Sequence, residues 1–165
     1  MTRAEDAKLE PNKAQSGVSQ YSETLDGLFG YHLKRATNVL QLDLKHALKP
    51  FDLRMLTYTA LVLIVDNPGL RQSQLAEAMD VERPNMVVII DTLENRKLII
   101  RDRVPTDRRA YALNATLAGR RLCEKATMAV KQHEERLLHQ LSPEMRQTVI
   151  AALTLIRKVG GGVAP

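Results

Sequence analysis

The chain has 165 residues, 44% of them hydrophobic and 26% charged, with a formal net charge of +5 and a pI near 9.5. That length suits one domain, or one domain with helical extensions, and the apolar share is enough to bury a core. A single cysteine, Cys123, excludes an internal disulfide framework, and no apolar run reaches the roughly 18 residues of a membrane span.

The N-terminal stretch MTRAEDAKLEPNKAQSG has no apolar core of a secretory leader, so the expected location is cytoplasmic with no membrane partner. Residues 1–22 are polar and small and read as a flexible arm. Between residues 25 and 48, Leu25, Leu28, Phe29, Leu33, Ala36, Leu40, Leu44 and Ala47 recur in steps of three and four. That spacing predicts one long helix with an apolar stripe, ended by Pro50. A second helix is expected over residues 53–65 and stops at Asp66-Asn67-Pro68-Gly69. A third covers residues 72–79, and Asp80-Val81 connects it tightly to a fourth over 83–96, with Pro84 in its first turn.

Residues 98–104 are enriched in β-branched side chains (Ile99, Ile100, Val104) and residues 111–114 alternate, which predicts a small hairpin. Thr116 caps a fifth helix over 117–140, and Ser142-Pro143 starts a sixth, striped by Met145, Val149, Ala152, Leu153 and Ile156. These long stripes exceed what a central module this small can cover, so they are expected to bury one another across a two-fold subunit interface. A monomeric six-helix bundle is the competing arrangement.

Charge concentrates at the hairpin. Arg101, Arg103, Arg108, Arg109, Arg120 and Arg121 stand against Asp102 and Asp107, so most of the net +5 lies between residues 101 and 121. A basic excess this local points to a polyanion partner. Two short helices followed by an arginine-rich hairpin have the layout of a winged helix-turn-helix: a helix fits the DNA major groove, and a slim ribbon lies along the backbone or in the minor groove. Arginine suits the ribbon because its planar fork matches phosphate and fits a narrow, electronegative groove.

On the fourth helix, Met86, Ile90 and Leu93 share one face with Ile89 at its edge and are expected in the core. The opposite face centres on Pro84 and Val88, flanked by Asn85, Val87, Asp91 and Thr92, none of them basic. Val87 and Val88 suit thymine methyls, Asn85 suits adenine, and Arg83 suits a phosphate or guanine. The expected DNA-binding set is therefore Arg83, Pro84, Asn85, Val87, Val88, Thr92, Arg103, Arg108 and Arg109, with Asp107 bracing an arginine at the wing. Asp91 opposes the DNA backbone unless it is paired internally. With so little charge on the reading face, the wing is expected to supply most of the affinity and base reading to be modest.

The run Asp107-Arg108-Arg109, then Thr116, then Gly119 resembles the D-x-R…LT-x-x-G signature of MarR-type (multiple antibiotic resistance regulator) transcription factors. Leu75-Ala76 and the segment Asp91-Thr92-Leu93-Glu94-Asn95-Arg96-Lys97-Leu98-Ile99 resemble that family's helix-turn-helix and its exit into the wing. Three positions depart from the pattern: Ala115 replaces the usual Leu, Lys97 stands where Gly is common, and Val88 stands near a frequent Arg or Lys. Glycine at 97 would permit a positive φ that costs lysine more.

The resemblance implies a mainly α fold with a small β-hairpin wing, a winged helix-turn-helix carrying N- and C-terminal dimerisation helices. The organisation it implies is an arm over 1–22, one unit over 23–159 (reading module 53–115, dimerisation helices 23–50 and 116–159) and a flexible tail over 160–165. It also implies a homodimer on a pseudo-palindromic double-stranded operator, acting as a repressor or activator and released by a small ligand. Family ligands lodge between the first, second and fifth helices. Here those helices carry Tyr31, His32, Arg35, Met55 and Tyr58, a set suited to a small aromatic acid or its thioester.

The resemblance places reactive cysteines in the first helix, so Cys123 on the fifth is expected to be passive. His133-Glu134-Glu135 and His139 lack zinc-ligand spacing, because a step of six puts the histidines on different faces. No phosphate loop, nucleophile elbow or paired-Cys motif occurs, so neither an enzyme nor a cofactor is expected. Two other functions compete: an architectural DNA-binding protein without ligand control, and a protein-interaction module built from the stripes.

Overall fold

The computed structural model describes residues 22–104 and 107–160, with the backbone alone for Val104, residues 107–110 and Gly160. The elements in order are α1 (Glu23–Asp26), α2 (Phe29–Leu48), a 3-10 turn (Lys49–Phe51), α3 (Met55–Asp66), β1 (Leu70–Arg71), α4 (Gln72–Met79), α5 (Arg83–Asn95), β2 (Ile99–Val104), β3 (Asp107–Ala115), α6 (Leu117–Leu137) and α7 (Pro143–Gly160). The fold is mainly helical with a small sheet, as the sequence implied. The arm over residues 1–21 and the tail over 161–165 lie outside the described residues.

Two compact units divide the chain, Met1–Val39 and Leu40–Pro165. In the first, the expected single helix is broken. Ser22 caps α1 by accepting from Leu25 N, and α1 ends after one turn at Gly27, before α2 begins at Phe29. The apolar stripe runs through this break, because periodicity registers side chains and not the backbone interruption at Gly27.

The second unit holds the core. Leu48, Leu61, Ile64, Leu75, Met86, Ile90, Leu93, Ile99 and Leu113 are fully buried, drawn from α2, α3, α4, α5 and the sheet, with Cys123 and Ala126 of α6 packed against them. Each such aliphatic side chain stabilises the fold by about 1.5–3 kcal/mol. α3 begins two residues later than expected, after Arg54, whose N–H donates to Thr57 Oγ1. α4 and α5 lie where the pattern places them. Asp80 turns between them at φ 50°, its N–H reaching the carbonyls of Ala76 and Glu77.

The sheet has three antiparallel strands in the order β1-β3-β2, not a two-stranded hairpin. Leu70 pairs with Leu113 and Arg71 with Ala112. A two-residue strand is too short to show alternation, which is why the sequence pattern misses it. Along β2, Ile99 faces Ala115, Arg101 faces Leu113 and Arg103 faces Tyr111, and the register breaks between Arg103 and Val104. β3 starts at Asp107, so the strand extends further toward the tip than the alternating residues 111–114 indicated.

Where α5, β2 and α6 meet, the backbone is tied closely. Lys97 adopts φ 56°, the left-handed conformation that a glycine would take more cheaply. Thr116 caps α6 by accepting from Gly119 N, and its hydroxyl also lies 2.8 Å from Lys97 O and 3.1 Å from Leu98 O. Thr116 N donates to Leu98 O at 3.0 Å. Gly119 sits directly on Leu98: a Cβ there would overlap the Leu98 carbonyl oxygen and lie 2.9 Å from its carbon. The signature glycine is therefore required by backbone approach, not by a turn. At the other end of α6, Arg146 of α7 donates to Leu138 O and Leu141 O and forks onto Glu135, closing the corner between the two helices.

Cys123 is buried on α6, and burial, more than the hydrogen bond to Thr127 opposes it, pushes its thiol above the ordinary range. A thiol held protonated is a poor nucleophile. Of the histidines considered as ligands, His133 Nδ1 meets Asp43 at 3.1 Å and His139 Nδ1 meets Arg136 O. Among the described residues no group of three potential metal ligands occurs.

Gly119→Ala is expected to lower stability by about 1–3 kcal/mol through overpacking, whereas Gly30→Ala, with open space around it, should be neutral or stabilising. Denaturant midpoints of the two variants check this. Iodoacetamide should label Cys123 slowly in the native protein near neutral pH and rapidly once it is unfolded; mass spectrometry with equally fast native labelling would contradict the burial account.

Candidate nucleic-acid interface

Burial decides which face α5 can present. Met86, Ile89, Ile90 and Leu93 are in the core, so the helix turns Arg83, Pro84, Asn85, Val87, Val88 and Thr92 to solvent. Val88 is 64% exposed. The Thr92 hydroxyl donates back to Val88 O at 2.7 Å, leaving its oxygen able to accept. The residues singled out on the fourth helix therefore share one free surface, uncharged apart from Arg83 at its start.

The sheet brings the wing alongside. Arg103 is exposed on β2, opposite Tyr111 of β3. Asp107, Arg108 and Arg109 begin β3 by their backbone, while their side chains lie outside the described residues. Arg101, two residues before Arg103, does not face outward. It is ion-paired with Asp91 and Glu94 of α5, which supplies the internal partner that Asp91 needs.

A cleft of about 660 Å³ borders the same helix, lined by Lys45, His46, Lys49, Arg54 and Arg96 with Asp52 as its one carboxylate, around Leu53, Leu56, Thr57 and Ile89, with Asn85, Val88 and Thr92 on the α5 side. Sequence reasoning missed these cations, because they come from the end of α2, the entry to α3 and the end of α5, and only the fold gathers them. Arg96 also ties the reading helix to the α2–α3 connection. Its guanidinium donates to Asp52 O at 2.5 Å and Phe51 O at 2.9 Å, where Asp52 itself turns at φ 51°.

The residues expected to hold a ligand fall in both units. In Met1–Val39, Arg35 Nη1 donates to the Tyr31 hydroxyl at 3.0 Å and its guanidinium lies 5.5 Å from the ring centre. His32 packs edge-on to Tyr31 at 5.6 Å and its Nε2 meets Asp26 O. In Leu40–Pro165, Met55 is exposed and the Tyr58 hydroxyl pairs with Thr127 Oγ1 of α6 at 3.1 Å.

With this geometry in place, comparison with known proteins is informative. Residues 53–111, from the entry of α3 into β3, match the MarR family model. A putative transcriptional regulatory protein for the hcr operon of Thauera aromatica is 42% identical over 96 residues, and the match spans 58% of this chain and 58% of that relative. The transcriptional repressor CouR bound to a 23-mer DNA duplex superimposes with a TM-score of 0.78 at 35% identity, covering 82% of this chain and 96% of that one. CouR bound to p-coumaroyl-CoA superimposes with a TM-score of 0.73 at 33% identity, covering 82% and 95%. An open reading helix beside an arginine-bearing sheet, the signature around Thr116 and Gly119, and these likenesses agree: the chain belongs to the MarR family of winged-helix, DNA-binding transcriptional regulators.

Proposed function

We propose that this regulator is a homodimeric repressor that binds a pseudo-palindromic double-stranded operator and leaves it when a small organic anion, an aromatic acid or its thioester, binds. The observation that carries the DNA half of this reading is the uncharged, solvent-facing surface of α5 next to an arginine-rich wing. Phosphate and minor-groove contacts from Arg103, Arg108 and Arg109 then supply most of the affinity, and Arg83, Pro84, Asn85, Val87, Val88 and Thr92 supply modest base reading. Asp107 braces the wing arginines.

The dimer is supported by α7, whose Met145, Val149, Leu153 and Ile156 are all exposed within one chain, and by Phe29, Leu40 and Leu42 of α2. A second copy is the partner that buries such stripes and sets the two reading helices about one DNA turn, roughly 34 Å, apart. The expected dimerisation segments remain 23–50 and 116–159, flanking the reading module.

Ligand release is supported by the CouR complex with p-coumaroyl-CoA and by two features of this chain. Tyr31, His32 and Arg35 form a cation-aromatic group suited to a carboxylate or phenol. The basic cleft beside α5 suits the anionic part of a larger ligand, and an occupant there would touch Asn85, Val88 and Thr92, the surface DNA needs. Either mode works through differential affinity for the free and DNA-bound forms.

An architectural role is the second reading, favoured by the lack of a basic residue along the α5 surface beyond Arg83. Competition between the sequence upstream of this gene and a mixed-sequence duplex separates the two, since a specificity ratio near one favours the architectural role. Neutralising Arg108 and Arg109 together is expected to weaken binding to every sequence and to lower the slope of log affinity against log salt by about two. Loss confined to a preferred site would overturn the division of roles. Thermal-shift measurements with p-coumaroyl-CoA and free aromatic acids should show stabilisation that Arg35→Ala reduces; no stabilisation by any of them removes the ligand half of the proposal.

A further inference from the structure

We propose that Arg101 is a positioning residue of the DNA interface. It ties the reading helix to the wing and partly neutralises two carboxylates beside the DNA-facing surface, and it makes no phosphate contact of its own. This rests on the DNA-binding reading above.

Strand alternation decides which way Arg101 points. Ile99, Arg101 and Arg103 share one face of β2. That face runs outward from the core: Ile99 is buried, Arg101 is half-buried and Arg103 is exposed. At the middle position α5 is alongside, and it offers Asp91 and Glu94, one helical turn apart and so neighbours on one side of the helix. The Arg101 guanidinium hydrogen-bonds Asp91 through Nη2, and its Nε lies 3.1 Å from Glu94 Oε2. That Nε is sealed from solvent and makes no hydrogen bond, so its link to Glu94 is an ion pair, and the side chain is only 24% exposed.

The charge arithmetic then changes. Asp91 and Glu94 sit in the last two turns of α5, where the helix dipole disfavours anions, and adjacent to the exposed Thr92. Unpaired, they would repel the DNA backbone. Arg101 cuts those two negative charges to a net one and joins helix to strand through a hydrogen bond to Asp91 and an ion pair with Glu94. Two arginines two residues apart, on one face of one strand, thus have different tasks: Arg103 is free for DNA, and Arg101 prepares the surface that DNA meets.

The test compares three full-length variants, Arg101→Met, Arg103→Met and the triple Asp91→Asn/Glu94→Gln/Arg101→Met, by fluorescence anisotropy on a mixed-sequence duplex across a salt series. Circular dichroism establishes folding. Arg101→Met is expected to weaken binding about tenfold while keeping the wild-type salt slope, since coupling within one charge network is of that order. Arg103→Met should lower the slope by about one. The triple, which leaves no unmet carboxylate, should recover most of the lost affinity, and it carries the comparison with Arg103→Met if the single Arg101 variant does not fold. A slope reduced by about one in both Arg101 variants, with no recovery in the triple, would make Arg101 a phosphate ligand and overturn the proposal. Wild-type affinity in Arg101→Met would overturn it as well. Failure of the wild-type protein to bind any duplex at low salt is a different result, which sinks the DNA-binding reading itself.

Discussion

Everything at this interface follows from the burial of one side of α5. Met86, Ile89, Ile90 and Leu93 complete a core that also needs Leu61, Ile64, Leu75 and Leu113. With four apolar side chains committed inward, a thirteen-residue helix has one remaining face, and that face carries Asn85, Val88 and Thr92. The sequence places no lysine or arginine along it after Arg83. In the proposed function, electrostatic attraction to DNA comes from neighbouring elements, the adjacent sheet with Arg103 first among them.

Holding that sheet in place is the work of a few close backbone contacts. Lys97 takes a left-handed turn, Thr116 reaches back to the carbonyls of Lys97 and Leu98, and Gly119 lets α6 rest on Leu98 without a side chain between them. On the other side of the reading helix Arg96 grips the α2–α3 connection through Asp52 and Phe51. The reading helix is thus fixed at its end to both the wing and the segment leading from α2.

Much of this was legible in the residues, and what was not has identifiable causes. Turn and cap signals located α4 and α6 closely, and apolar periodicity located the core side of α5 and the stripe of α7. The core side of α5 and the positive φ at Lys97 followed from the wheel and from the family pattern. The break at Gly27 did not, since the stripe continues in register on both sides. β1 is two residues long and carries no period. The inward turn of Arg101 was invisible because composition counts an arginine as a surface cation whatever its partner, and only the packing of β2 on α5 shows which carboxylates it meets. The basic cleft was invisible for a related reason: Lys45, Arg54 and Arg96 are far apart in sequence and converge only in the fold.

In the proposed mode of binding, the reading helix enters the major groove with little charge while the wing supplies the cationic grip. Hydroxyl-radical footprinting of the protein on the DNA upstream of its gene, paired with guanine N7 methylation interference, tests it most directly. The account predicts strong minor-groove and backbone protection flanking two half-sites about one helical turn apart, with only weak interference inside the major groove. Strong major-groove interference without flanking protection would contradict it.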